Sequence, residues 1–544
     1  MTMADAPRLA RASAWMALGT VVSRATGLLR SVLLIAVIGT ALNADLFNTA
    51  NSIPNSLYIL VAGGVFNVVL VPQLVRAMRN DPDGGDAYAN RIITLGMLVL
   101  LGATILLMLA VPLIMRIIYA DLFTPEFTAQ RQSAYLLMLL CLPQVFFYGA
   151  FVLVGQILNA RERFGPMMWA PIVNNLTALV VLGIYAVVFG ADRGGTGGFS
   201  TTESLLLGIG STLGIVIQAA VLVPFLGRVG FRYRPRFDFR GVGLGHTLRL
   251  GAWTLGFIIV NQIAFFVIAR LGVRATSEGR ARDVPAAGTT VYDFGFLLAQ
   301  VPHGIITVSV ATAIIPTLSA YAAAGRVDRV GVEIGRTLRL VVSLVVPIAV
   351  AVGVLGPSLA RLLPGENPAI GMTISAFALG MVAFTIHYVV LRGFYAMEDT
   401  RTPFWIQLVI MAVNLGTAVV ATRLVEPVWV ATVLAVCWSL AYVIGLAVAF
   451  ALLSRRVGGT LVDHEMAWFL LKMALLTLMM CGVMVAASLV WVLFEPTPGG
   501  ATTAIAQLCV VGGVGTVTYL FMAEVLGMNE LRYVLTSLVG SRRR

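Results

Sequence analysis

The sequence has one lysine (Lys472), four cysteines, four histidines and only 11% charged residues among 544. Soluble domains carry about a quarter charged residues, so 37 basic and 25 acidic side chains cannot clothe a water-soluble fold of this length. A soluble enzyme is excluded. The lone lysine follows Leu471, and without a Gly-Lys pair there is no loop of the kind that cradles nucleotide phosphates. Any transport would proceed without ATP hydrolysis in this chain. Cys141, Cys437, Cys481 and Cys509 all fall inside apolar runs, as small buried hydrophobes rather than a disulfide framework or a thiolate metal site. His246, His303, His387 and His464 are dispersed, and His-Glu-x-x-His and Cys-x-x-Cys are both missing. No metal site is expected.

What is abundant is apolar surface: 59% hydrophobic residues and a mean hydropathy of +0.92. Apolar runs of roughly 20 to 30 residues lie near 10–39, 46–75, 91–119, 132–160, 166–190, 203–227, 245–273, 290–323, 331–363, 369–397, 403–424, 428–453, 466–494 and 501–527. The pattern predicts an all-α polytopic membrane protein with fourteen transmembrane helices. The first run is too long for a cleavable signal and contains Arg24 and Arg30.

All basic residues but Lys472 are arginine, and the net charge is +12. Such a balance suits nucleic acid, but in a membrane chain the arginines are first sorted by loop. Loops after even-numbered spans hold Arg76, Arg79, Arg161, Arg163, a run from Arg228 to Arg240, Arg326, Arg329, Arg401, Arg455 and Arg456. The alternate set is short and mostly acidic or neutral. The positive-inside rule therefore places both termini in the cytoplasm, and no nucleic-acid partner is expected. One outer loop, 274–289, disagrees by carrying Arg274, Arg280 and Arg282.

The stretch from Leu158 to Val180 recurs loosely from Phe394 to Val420, with Ala-x-Glu, a short basic loop, Pro166 or Pro403, Trp169 or Trp405, and Asn175-Leu176 or Asn414-Leu415. Ile53-Pro54 and Val71-Pro72 likewise match Val301-Pro302 and Ile315-Pro316. A six-span offset preserves orientation, so parallel repeats are expected around a central cavity. The implied domains are residues 1–230 (first lobe), 231–457 (second lobe), 458–530 (two added helices) and 531–544 (cytoplasmic tail).

At 100° per residue, Thr20, Ser23, Arg24, Gly27, Arg30 and Ser31 share one 120° arc of the first span. An arginine at mid-membrane costs roughly 2.5 to 3.5 kcal/mol on insertion scales, so two must face water, an anion or a carboxylate. In span two, Asp45, Asn48, Thr49, Ser52, Asn55 and Ser56 form a matching arc, interrupted by Pro54 and followed by Gly63-Gly64. Polar, broken helices at membrane depth line cavities. Asp45 could neutralise one arginine, which leaves the other for an anionic substrate, since arginine matches phosphate oxygens bidentately. Anion contacts are thus expected at Arg24 and Arg30, and bending at Gly27, Pro54, Gly63, Gly64 and Pro302. Weaker cavity candidates are Gln300, His303 and Arg270.

The run from Ser23 to Pro72, with Ser-Arg-Ala-Thr-Gly-Leu-Leu-Arg and Ala-Asp-Leu-Phe-Asn-Thr-Ala-Asn-Ser-Ile-Pro-Asn, resembles the MurJ/MviN lipid II flippases of the multidrug/oligosaccharidyl-lipid/polysaccharide exporter superfamily. The resemblance implies a bacterial plasma-membrane transporter that flips undecaprenyl-pyrophosphate-linked peptidoglycan precursor (lipid II) to the outer leaflet by alternating access. It further implies a pyrophosphate held by Arg24 and Arg30, further substrate contacts at Ser23, Asp45 and Asn55, a weaker cavity candidate at Tyr58, and a lipid-tail groove made by the two added helices, serving cell-wall biogenesis and cell shape. Membrane lipids and cytoplasmic cell-wall regulatory proteins are the other partner classes it suggests. No cofactor is expected, and the candidate energy sources are the membrane potential and a monovalent cation.

This chain departs from the family pattern where a third cavity arginine becomes Tyr58, an Asp becomes Ser31 and a Glu becomes Gly63. In span eight an Asp-Arg pair becomes Phe296-Leu297 and a Glu becomes Gln300. The departures suggest a divergent, actinobacterial-like branch. Of the sodium site used by some relatives, only Asn261 and Asn414 match. Alternatives are a flippase for another polyprenyl-linked glycan, a drug/cation antiporter of the same superfamily, or a non-transporting scaffold.

Overall fold

The computed structural model describes residues 6–59, 77, 83, 85–239, 244–365, 367–459, 461, 463–495, 500–528 and 530. Among them every regular element is helical, and thirteen stretches are long and apolar enough to cross a membrane. Span two is represented by its first half, since residues 60–76, with Gly63 and Gly64, lie outside the described residues. The helices are α1 (Ala6–Val37), α2 (Leu42–Tyr58), α3 (Asp86–Leu109), α4 (Val111–Ile118), α5 (Thr128–Cys141), α6 (Gln144–Ala160), α7 (Gly165–Val188), α8 (Thr201–Ala220) and α9 (Val223–Arg228). They continue as α10 (Leu244–Arg282), α11 (Thr289–Pro302), α12 (Val308–Ala323), α13 (Val327–Ala360), α14 (Pro368–Ala396), α15 (Arg401–Ala421), α16 (Val430–Arg456), α17 (His464–Phe494) and α18 (Ala501–Val525).

The chain divides into two compact units at Thr290 and Val291, whereas the repeat pattern alone suggests a boundary at 230. The seventh span therefore lies in unit 1. The reason is local packing: Ala269 and Val273 of α10 join a buried cluster with Leu42, Leu46 and Ile53 of α2 and Val111, Ile114 and Ile118 of α4. The outer loop expected at 274–289 is largely helix, because α10 runs on to Arg282. Thr276 and Ser277 are buried in that extension.

The repeat is visible in backbone conformation. Glu162 and Glu398, at matching positions, both adopt left-handed φ values of 60° and 59°. Each ends its helix with the same long bond, Arg163 N–H to the Leu158 carbonyl at 2.8 Å and Asp399 N–H to the Phe394 carbonyl at 3.0 Å. Such a bond from the third residue past the helix satisfies a carbonyl that the last turn would otherwise leave open.

Charged clasps tie loops to helices. In unit 1, residues 231–239 run extended along α3: Arg234 N–H donates to Asn90 Oδ1 at 2.7 Å, Arg236 N–H to Thr94 Oγ1 at 3.1 Å, and Arg91 pairs with Asp238. In unit 2, α13 grips the last two helices at both ends. Arg339 faces Glu465 at 3.3 Å, with Asp463 and Glu530 each at 3.7 Å. Arg361 pairs with Glu495 at 3.0 Å and bonds Gln507, which also accepts from Ser358 at 2.7 Å. The two arginines are separated by about 33 Å at 1.5 Å per residue, close to the thickness of the hydrocarbon core.

Candidate functional site

The cationic face of the first span is built on an unbroken helix. Arg24 is exposed and Arg30 partly buried, and they stand about 9 Å apart along the axis. Among the described residues neither forms an ion pair. The helix is held by α7. The amide of Asn175 donates to the Ser23 carbonyl at 3.0 Å and to Thr26 Oγ1 at 3.1 Å. Gly19 lets the Trp169 ring close in, since a Cβ there would lie 2.8 Å from Nε1. Gly27 is a continuous helical residue beside the Asn175 amide, and Ser31 Oγ bonds back to its carbonyl at 3.3 Å. Asn175 fixes the helix that presents both arginines, a role that its place in the repeat hinted at without defining.

Asp45 is fully buried. Its Oδ2 accepts from the Thr276 hydroxyl at 2.9 Å and from Thr289 N–H at 3.1 Å, and its Oδ1 accepts from Thr290 N–H at 2.7 Å. Thr49, one turn along α2, bonds the Thr289 hydroxyl at 3.1 Å. Thr289 and Thr290 open a helix, where backbone N–H groups lack intrahelical acceptors, so a carboxylate there supplies both the acceptor and the favoured charge. Gly288 makes room, because a Cβ at that position would collide with the carboxylate. Both oxygens of Asp45 are engaged by threonines, and no ion pair with Arg24 or Arg30 is formed among the described residues.

Asn55 is exposed and follows the buried Pro54 within α2. Tyr58 stacks on Tyr148 of α6 with ring centroids 5.6 Å apart. Tyr148 is also an electrostatic neighbour of Arg30, so the aromatic pair lies beside one of the two cations. Sequence reasoning missed Tyr148, which sits in a run of Phe and Tyr with nothing to single it out. Arg270 donates to the Ile117 carbonyl at 2.7 Å and so caps α4 within unit 1.

In unit 2 the counterpart positions are apolar and aromatic. Phe296 packs against Tyr292, Phe377 and Trp438, with centroids 6.4, 5.5 and 5.5 Å away. Gln300 is partly buried in α11. Pro302 is followed at once by a widened turn, His303–Thr307, as expected where a proline removes a backbone donor from a helix. His303 Nδ1 lies 3.2 Å from Thr385 Oγ1 and its ring packs on Phe384 and Tyr388. Asn261, in unit 1, donates to the Phe257 carbonyl at 2.7 Å. Asn414, in unit 2, has a buried side-chain oxygen without a hydrogen-bond partner among the described residues. No group of three or more His, Cys, Asp or Glu side chains suited to a metal ion occurs among the described residues.

With this geometry in view, comparison with known proteins is decisive at the family level. A family model described as "Lipid II flippase MurJ" matches residues 34–496. The chain belongs to the MurJ family. Relatives include the probable lipid II flippase MurJ of Rhizobium tropici, 26% identical over 96% of this chain and 95% of that one. The one from Haemophilus influenzae is 27% identical over 73% of this chain and 78% of that one. A solved lipid II flippase MurJ in an inward closed conformation matches with a TM-score of 0.70 at 18% identity, covering 95% of this chain and 99% of that chain. An inward-facing multidrug resistance MATE transporter of the MOP superfamily matches with a TM-score of 0.63 at 13% identity, covering 80% and 95%. At these identities the two structures speak to the fold alone. They agree with the all-α polytopic class, while the count of spans stands at thirteen among the described residues. A MurJ-family chain is a multi-pass membrane transporter and not an enzyme.

Proposed function

We propose that this chain flips lipid II from the cytoplasmic to the outer leaflet of the bacterial plasma membrane. Arg24 and Arg30 would hold the pyrophosphate while the polyprenyl tail stays in lipid. The observation that carries this reading is the cationic face of α1: two arginines in an apolar helix, with no described carboxylate paired to either. A diphosphate supplies the missing anion, and two guanidinium forks match its oxygens. Alternating access is the proposed mechanism, with the two lobes exposing the bound headgroup to each side in turn. An inside-negative potential would favour return of the positively charged empty site by about 2.3 kcal/mol per charge per 100 mV. Both termini would lie in the cytoplasm, the orientation that the arginine-rich loops favour.

The test uses full-length Arg24→Ala and Arg30→Ala variants in a strain depleted of its own flippase. The reading expects precursor to accumulate in the inner leaflet. Normal outer-leaflet levels in both variants at wild-type abundance would overturn the pyrophosphate role. Mass spectrometry of lipid co-purified with the wild-type chain decides between lipid II and another polyprenyl-linked glycan.

A further inference from the structure

Along one side of α4, unit 1 contains a pocket of about 400 Å³. Pro112, Met115 and Tyr135 form its apolar wall, and Arg116, Arg131 and Gln132 bring polar groups to it. Phe123 is shared by the two arginines: the guanidinium carbons of Arg116 and Arg131 stand 6.0 and 5.5 Å from its ring centroid. Beyond this ring, among the described residues, the polar contact made by these guanidinium groups is from Arg131 to the Leu122 carbonyl at 3.5 Å. Asp121 and Glu126 occupy the same turns, yet among the described residues neither forms an ion pair with these arginines. Glu126 instead accepts from Thr124 at 3.4 Å. A third cation, Arg270, already satisfies the Ile117 carbonyl at the helix end, so Arg116 and Arg131 are not needed to cap α4.

The surroundings identify the medium. Leu113, Ile117, Phe123 and Tyr135 are all exposed large apolar side chains, between 41% and 61% accessible. In a membrane-spanning chain such side chains meet acyl chains or the headgroup boundary, where aromatic rings concentrate. Loops on this side are otherwise mostly acidic or neutral, so two arginines here run against the charge pattern that sets orientation. We propose that the pocket binds an anionic glycerophospholipid of the bilayer, with its phosphodiester between Arg116 and Arg131 and its acyl chains over Leu113 and Ile117. Phe123 holds both guanidinium groups by cation–π contact, so the fork is set before the lipid arrives. The orientation proposed above puts this site in the outer leaflet, but lipid binding itself does not depend on that orientation or on flippase activity.

Native mass spectrometry of the full chain in detergent tests the site, with short-chain phosphatidylglycerol, phosphatidylcholine and inorganic phosphate as separate probes. Wild type is expected to retain phosphatidylglycerol over phosphatidylcholine. The double variant Arg116→Gln/Arg131→Gln should bind it about tenfold more weakly, the effect of losing about 1.4 kcal/mol of charge-assisted bonding. Arg228→Gln, at a loop of the opposite set, should leave binding unchanged and controls for overall charge. Equal phosphatidylglycerol binding by wild type and double variant would overturn the site, as would inorganic phosphate displacing the lipid at equal concentration. Should the double variant fail to fold, Phe123→Ala provides the second test: weakened phosphatidylglycerol binding supports the site and unchanged binding overturns it. Because the readout is lipid retention rather than transport, its failure is distinct from failure of the flippase reading.

Discussion

The Asp45 carboxylate receives the Thr290 backbone N–H at 2.7 Å while Gly288, two residues earlier, carries no Cβ to collide with that carboxylate. A buried charge with three donors is stabilising where it stands and costly once those donors are lost. Asp45→Ala is expected to lower stability by roughly 3 kcal/mol, and Asp45→Asn by less because one oxygen still accepts. Gly288→Ala should reproduce the alanine effect by pushing the Asp45 carboxylate and the Gly272 carbonyl away from the added Cβ. Thermal unfolding in detergent measures all three, and a Gly288→Ala protein as stable as wild type would show that the close approach is dispensable.

Tyr58 and Tyr148 form a stacked pair beside Arg30. Tyr58→Phe keeps both rings and should retain wild-type stability and transport. Tyr58→Ala is expected to cost about 1 kcal/mol beyond lost area and to reduce transport by freeing Tyr148. Unfolding temperature and outer-leaflet precursor level are the two readouts, and full transport by Tyr58→Ala would remove the pair from the site.

The side chain of Glu495 is only 5% exposed and pairs with Arg361. Removing the cation alone, in Arg361→Met, leaves that carboxylate buried and should cost about 3 to 5 kcal/mol. The double variant Arg361→Met/Glu495→Leu should recover most of the loss. A double-mutant cycle on unfolding free energy checks this, and additive losses would mean that the pair is not coupled.

Asp399 lies in the loop between α14 and α15. Burial works to raise its pKa, but bonds from the N–H and hydroxyl of Thr402 and from Arg456 outweigh it and hold the carboxyl below the usual range. A folded-state value below the unfolded one contributes stability that is present above the unfolded value, about 3.9, and is lost as pH falls through the folded value. Asp399→Asn should therefore be less stable than wild type at neutral pH, with the gap closing in strong acid. Unfolding curves across pH test the sign, and a gap that widens on acidification would contradict it.

Much of the fold was legible because lipid imposes simple rules. Runs of apolar residues must be helices, and thirteen of the fourteen expected spans overlap described helices, the seventh running nine residues past its expected end. The arginines of α1 were legible for the same reason: charge inside an apolar run is conspicuous. Thr276, Thr289 and Thr290 were not, since isolated threonines near helix ends occur throughout the sequence. Their roles depend on which carboxylate the chain brings to them.

The sequence by itself determined the solvent, the helical class, the repeat and the placement of two cations on one helical face, because these follow from local composition and the period of the helix. Only the tertiary structure decided how Asp45 is used. Its partners lie 231 to 245 residues away, and hydrogen bonding at that separation is set by packing of α10 on α2, which no local pattern encodes. The same holds for Arg116 and Arg131, whose shared contact with Phe123 arises where short helices turn back on themselves.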